Sequence, residues 1–294
     1  MMILGNDVAS YQGNINFDLY RNNANFIIPK ATEGVGFIDP KFARNQSEAR
    51  RVGILRGYYH FARPDLGNSP EAEADYFLSV LGQLQEGEVL CLDYECPNQV
   101  QAHVDWCKKW LDRIYSKTGV KPLIYLNQSQ VKQFNWKAVI DGGYGLWIAA
   151  YTYDPNNNNA EIGQWPFAAM QQWTNGQTVP GIPAVADGDV FFGSEQAFKA
   201  YGFKKPASSS VSPSVSPSHS VSPSISPSPS MSPSPSLSVS PSMSPSPSFE
   251  PPSDDPQDKL DAIEKIVNSS WSPWFFLPNY WRNKLSQIKT ILNG

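Results

Sequence analysis

Leu90-Cys91-Leu92-Asp93-Tyr94-Glu95 is a short apolar run that ends in two carboxylates two residues apart. With Val89 before it, the run reads as a buried strand, Val89–Glu95. Residues i and i+2 of a strand leave the same face. Asp93 and Glu95 therefore point the same way, about 6.6 Å apart along a backbone that rises roughly 3.3 Å per residue. Two acids confined there lose solvation and repel each other, so one is expected to stay protonated near neutral pH. A protonated acid beside an ionised one is what glycosidic-bond cleavage requires. Such triplets are common on solvated surfaces, so the pair gains meaning only from its surroundings.

Outward from this strand, apolar runs alternate with helical spacings. Strands are expected at Ile3–Val8, Phe26–Ala31, Arg56–Phe61, Pro122–Leu126, Leu146–Tyr151, Ala169–Trp173 and Val190–Phe192. Helices are expected at Pro40–Val52, at Pro70–Leu84 with Ser69 as cap and Pro70 at its first position, and at Gln99–Thr118, which Gly119 stops. Alternation of this kind implies a parallel sheet with right-handed crossovers. Seven or eight strands in about 200 residues predict an α/β fold, a (β/α) barrel of TIM type with shortened later helices. Asp7, Glu33, His60, Asp93, Glu95, Tyr151 and Gln172 fall where these strands end. In such a barrel those ends share one mouth, where active sites lie. Each has a plainer reading: Glu33 as a helix-capping acid, His60 as a satisfied core histidine, Tyr58, Tyr59 and Trp147 as core.

The 294-residue chain has a formal net charge of −4, which offers nucleic acid no basic footprint. It has no apolar run long enough to span a bilayer, no P-loop and no G-x-G-x-x-G. Cys91, Cys96 and Cys107 match no zinc spacing and read as free buried thiols, with a Cys96–Cys107 bridge as the alternative. His60, His103 and His219 show no metal spacing either.

The motifs around the strand ends resemble those of the glycoside hydrolase family 25 lysozymes, the Chalaropsis-type N-acetylmuramidases, and phage endolysins among them. The opening Asp7-Val8-Ala9-Ser10-Tyr11-Gln12-Gly13 is followed by Lys30-Ala31-Thr32-Glu33-Gly34, Gly57-Tyr58-Tyr59-His60-Phe61 and Leu92-Asp93-Tyr94-Glu95. Leu146-Trp147-Ile148-Ala149-Ala150-Tyr151, Gln171-Gln172-Trp173-Thr174 and Ala186-Asp187-Gly188-Asp189-Val190-Phe191 complete the series in the family's order, over residues 1 to about 203. Two positions depart from the pattern: Ala9 stands where the family usually has Ser, and Pro29 interrupts the second strand, which predicts a local bulge there.

The resemblance implies hydrolysis of the β-1,4 bond between N-acetylmuramic acid and N-acetylglucosamine in bacterial peptidoglycan, with no metal or organic cofactor. It carries over four acids, Asp7, Asp93, Glu95 and Asp187. By physical role Glu95 is the general acid and Asp93 the ionised partner that stabilises positive charge, with Asp7 and Asp187 completing the electrostatics. Glu33, Tyr11, Tyr59, Tyr94, Trp147, Tyr151, Gln172 and Trp173 are the substrate-binding candidates, and about half of the aromatics are expected to be core. Backbone spacing leaves the stereochemistry open between retaining, inverting and assistance by the substrate's own N-acetyl group.

Residues 206–253 are almost wholly Ser and Pro. They are expected to form a disordered spacer, reaching on the order of 140 Å at about 3.1 Å per residue. Residues 254–294 carry two apolar stripes, Leu260-Ile263-Ile266-Val267 and Trp281-Leu285-Ile288-Leu292, around Trp271-Ser272-Pro273-Trp274-Phe275-Phe276. They are expected to form a helical hairpin that binds a cell-envelope ligand or self-associates. The N-terminus lacks the features of a secretory signal. The expectation is a lysin made in the cytoplasm and brought to the bacterial wall by a holin or on a virion. The alternative is a non-catalytic glycan-binding or structural virion protein on the same barrel.

Overall fold

The computed structural model describes residues 2–205; residues 206–294, and with them the expected spacer and hairpin, lie outside the described residues. Eight strands close into a barrel: β1 (Ile3–Val8), β2 (Phe26–Glu33), β4 (Leu55–Phe61), β5 (Val89–Asp93), β6 (Leu123–Asn127), β7 (Leu146–Ala149), β8 (Ala168–Gln177) and β9 (Ala186–Phe191). The pairing of β1 with β2 makes the closure, and the two-residue β3 (Phe37–Ile38) adds a short hairpin to the end of β2.

Seven barrel strands run parallel, but β9 is antiparallel to both its neighbours, β1 and β8. This corrects the all-parallel expectation, and the reason is the connection. Only residues 178–185 separate β8 from β9, whereas a parallel return needs a crossover of roughly a dozen residues or more. Because β9 runs backwards, its first residues, rather than its last, stand at the mouth.

The helices α1 (Phe17–Tyr20), α2 (Phe42–Val52), α3 (Pro70–Leu81) and α4 (Ala102–Thr118) lie in the first half of the chain. The later helices, α5 (Gln128–Gln133), α6 (Lys137–Asp141) and α7 (Glu195–Tyr201), are short, and β7 is followed by loop alone. Ser69 caps α3 by accepting the Ala72 amide at 3.1 Å, an interaction typically contributing about 1 kcal/mol. Gly53 and Gly119 end α2 and α4 in the left-handed region, at φ 71° each. The α4 stripe of Val104, Cys107, Trp110, Leu111 and Ile114 is fully buried against Tyr58, Leu90 and Leu92. Each such side chain contributes about 1.5–3 kcal/mol by leaving water.

Strand alternation separates this outer layer from the barrel interior. Val89, Cys91 and Asp93 alternate with Leu90, Leu92 and Tyr94, and the first two pack with Ile3, Phe26, Ile28, Leu123, Tyr125 and Trp147. Phe198 of α7 packs in the same cluster, against Phe26 and Phe191. Gly5 of β1 is required by proximity, since a Cβ there would sit 2.4 Å from the Phe26 carbonyl oxygen. Pro29 stays in register with Val8, and the shift against β4 comes just after it, between Lys30 and Thr32. All three cysteines are free and buried. Among the described residues no helix is long and apolar enough to cross a membrane.

Candidate active site

Asp93 is the last residue of β5, and its neighbours in register are Phe61 of β4 and Tyr125 of β6. The strand stops there, so Glu95 lies just beyond it rather than within it. The charge of Glu95 still acts on Asp93. Asp93 is buried at 6 % exposure, whereas Glu95 is partly exposed. Asp7 near the end of β1 and Asp187 at the start of β9 join them, and each of these two shifts the titration of Glu95 or is shifted by it.

Burial dominates the electrostatics. It pushes Glu95 up from 4.5 to about 8, with the charge of Asp7 adding to the rise and Lys30 opposing it. Asp187 rises from 3.8 to about 8 through burial and then the charges of Asp7 and Glu95. Asp93 is raised well above the ordinary carboxylate range by burial and then by Glu95. Each acid thus raises the cost of ionising the other. Asp93 Oδ1 is buried with no hydrogen-bond partner. Asp7 is also raised by burial, partly offset by Gln172, whose Nε2 donates to Asp7 Oδ2 at 2.8 Å. Gln172 in turn accepts from the Tyr125 hydroxyl at 3.0 Å. Lys30, from β2, is the cation that opposes the rise at both Asp93 and Glu95.

The aromatic candidates separate by strand face. Tyr94 is fully buried in the outer layer, edge-on to Trp136, with its hydroxyl 2.9 Å from His103 Nδ1. It is core and not a sugar contact, because its parity is opposite to that of Asp93. Trp147 is also removed from the sugar-facing set. It is buried inside the barrel, edge-on to Tyr125, and its indole N–H donates to Asp189 Oδ1 at 2.9 Å. Tyr59 is 9 % exposed and feels all four acids, so it forms part of the floor. Tyr151 and Trp173 are half-buried, and Tyr151 feels Asp187, Glu95 and Asp7. Tyr11 is 81 % exposed.

Tyr11 and Glu33 line a cleft of about 340 Å³ together with Lys30, Phe37, Arg63 and Leu66. Glu33 is clamped by Lys30 Nζ at 2.7 Å and Arg63 Nη1 at 2.8 Å. Burial alone would raise its pKa, but the two cations outweigh it and keep the carboxylate charged. His60 takes its plain reading. It is buried between Thr32 Oγ1 at 2.7 Å and Glu73 Oε2 at 2.8 Å, and it stacks on Trp110.

Sequence reading missed Asp189, Lys30 and Tyr125. Asp189 carried a legible signal, since Asp187-Gly188-Asp189 has the same i, i+2 spacing as Asp93-Tyr94-Glu95. Among the described residues no group of His, Cys, Asp and Glu is arranged to hold a metal ion.

The family model for glycosyl hydrolases family 25 matches residues 6–182. The chain belongs to glycosyl hydrolase family 25. The matched stretch carries Asp7, Asp93 and Glu95, with Asp187 just past its end. The chain is 33% identical over 189 residues to the N,O-diacetylmuramidase of Arthroderma benhamiae, covering 60% of this chain and 77% of that one. The barrel is similar to a muramidase structure from Trichobolus zukalii, with 28% identity and a TM-score of 0.56 over 68% of this chain and 98% of that one. It is also similar to the structure of the CTP1L endolysin, with 28% identity and a TM-score of 0.56 over 68% of this chain and 69% of that one. As a family 25 member it is a glycoside hydrolase of the lysozyme type.

Proposed function

We propose that this family 25 enzyme cleaves the β-1,4 bond after N-acetylmuramic acid in bacterial peptidoglycan, with Glu95 as the general acid. The observation that carries the assignment is the pairing of a partly exposed Glu95, pushed up to about 8, with a buried Asp93 whose Oδ1 has no partner. At neutral pH Glu95 keeps its proton and can deliver it to the glycosidic oxygen as the C1–O bond breaks. Asp93 Oδ1 is free to accept the N–H of the substrate's acetamido group. That hydrogen bond favours the ionised carboxylate, so binding substrate lowers the pKa that burial had raised. The acetamido oxygen then attacks C1, Asp93 balances the positive charge of the cyclic intermediate, and Glu95, now ionised, takes a proton from the water that opens it. Configuration at C1 is retained by this double displacement.

In this reading Asp7 and Asp187 set the field at the mouth, while Gln172 and Tyr59 shape its floor. Tyr11, Tyr151 and Trp173 offer aromatic surface to the glycan, and Glu33 holds Lys30 and Arg63 at the cleft. The site of action is the bacterial wall, as a phage lysin. Residues 206–253 would act as a tether, and residues 254–294 as a unit that binds the envelope or other copies.

Digestion of purified walls, borohydride reduction and mass analysis of the fragments test the bond assignment. The expected fragments end in reduced N-acetylmuramic acid. Reduced glucosamine ends, or new peptide amines instead, would refute it. Absence of any cleavage would favour a glycan-binding protein on the same barrel.

A further inference from the structure

A fifth carboxyl, that of Asp189, lies beneath the four acids. Asp189 is fully buried on β9, and its register partners are Gly5 of β1 and Gln172 of β8. Asp7 stands two residues beyond Gly5 on the same face, so the two carboxyls are diagonal neighbours across adjacent strands. Each has one oxygen occupied by a neutral donor: Trp147 Nε1 reaches Asp189 Oδ1 at 2.9 Å, and Gln172 Nε2 reaches Asp7 Oδ2 at 2.8 Å. Asp189 Oδ2 is buried with no hydrogen-bond partner, and the charge of Asp7 is the largest influence on its carboxyl after burial. Two buried carboxylates on neighbouring strands repel strongly, and a proton on Oδ2 removes that repulsion and gives the oxygen a partner in Asp7.

We propose that Asp189 is a permanently protonated positioning residue, whose Oδ2–H donates to Asp7 and holds the Asp7 carboxylate in place at the barrel mouth. The proton belongs on Asp189 for a geometric reason. Asp189 is the deeper of the two, and Asp7 keeps both the Gln172 amide and the Asp189 hydroxyl as donors to its charge. The other titratable groups facing Asp189 are Asp187 on its own strand, Cys91 of β5 and Tyr20 of α1. None of these is a cation, and the Trp147 N–H, a neutral donor, opposes the rise less than burial and the neighbouring acids drive it. The chain Trp147–Asp189–Asp7–Gln172–Tyr125 thus runs across the floor of the site and leaves its charge at one position, Asp7.

This inference rests on the glycosidase reading for its kinetic test and stands apart from it in its spectroscopic one. In the full-length chain, Asp189→Leu keeps the side-chain shape and removes the donor. It is expected to lower kcat about ten- to a hundredfold, the range for losing a hydrogen bond to a charged group. Asp189→Asn supplies an amide N–H toward Asp7 and an oxygen toward Trp147. It is expected to rescue kcat to within about threefold of wild type. In infrared spectra at neutral pH, Asp189→Asn is expected to lack one protonated-carboxyl C=O band that the wild type shows. An Asp189→Asn enzyme as impaired as Asp189→Leu would show that the residue works as an anion and would overturn the proposal. So would a protonated-carboxyl band left intact, or an Asp189→Leu enzyme that folds and keeps wild-type kcat. If Asp189→Leu fails to fold, the Asn variant decides alone. If the wild type does not cleave walls, the proposed function fails while the infrared comparison still decides the shared proton.

Discussion

Glu95→Gln is expected to raise stability and abolish activity in the same molecule. Burial raises the Glu95 carboxyl from 4.5 to about 8, so its proton stabilises the fold. For a group whose pKa is raised on folding, that stabilisation is fully present below the unfolded value of 4.5 and is lost as pH rises through about 8. The full shift corresponds to about 5 kcal/mol at alkaline pH. Glu95 is partly exposed, and water screens part of that cost, leaving about 2 kcal/mol. Glutamine cannot ionise, so it escapes this loss. For a barrel of this size about 2 kcal/mol raises Tm by roughly 4–8 °C. The gain should be present at pH 8.5 and absent at pH 4, as read by circular dichroism melts. Turbidity clearing of purified walls should fall at least about 10²-fold at pH below about 8, where wild-type Glu95 holds its proton, the low end for loss of a general acid. A Tm gain of equal size at both pH values would refute the electrostatic account. Near wild-type lysis with the substitution confirmed would refute the catalytic assignment.

Two further outcomes follow from the same geometry. Because Glu95 must hold its proton in the free enzyme, kcat/KM on soluble glycan fragments should fall as pH rises through about 8; a profile flat to pH 10 would exclude Glu95 as the acid. A chain truncated after Lys205 keeps every core and site residue named above, so it should fold and cleave soluble fragments like the full chain, while sedimenting less with intact walls. An unfolded truncated chain would refute the independence of the barrel, and undiminished wall binding would refute a targeting role for residues 254–294.

Much of this protein was legible in residue order because the deciding contacts are local. The Val89–Asp93 strand, the Ser69 cap and the Gly119 stop each follow from a pattern spanning a few residues. The i, i+2 rule placed Asp93 and Glu95 on one side; Tyr94 is expected as a sugar contact, although the same parity carries it to the other side, into the core. The alternation of strands and helices gave the barrel, and the ends of its parallel strands gave Asp7, Asp93, Glu95 and Gln172 a common mouth. What needed the tertiary structure is whatever depends on strand direction and on depth. The reversal of β9 turns Asp187 toward the mouth and sets Asp189 beneath it, between Gly5 and Gln172. Trp147 reads as a sugar platform along the chain, but the closed barrel turns it inward to Asp189. The same closure decides the charges: a carboxyl's pKa depends on the water removed and on the neighbours brought near it, and both come from strands far apart in sequence.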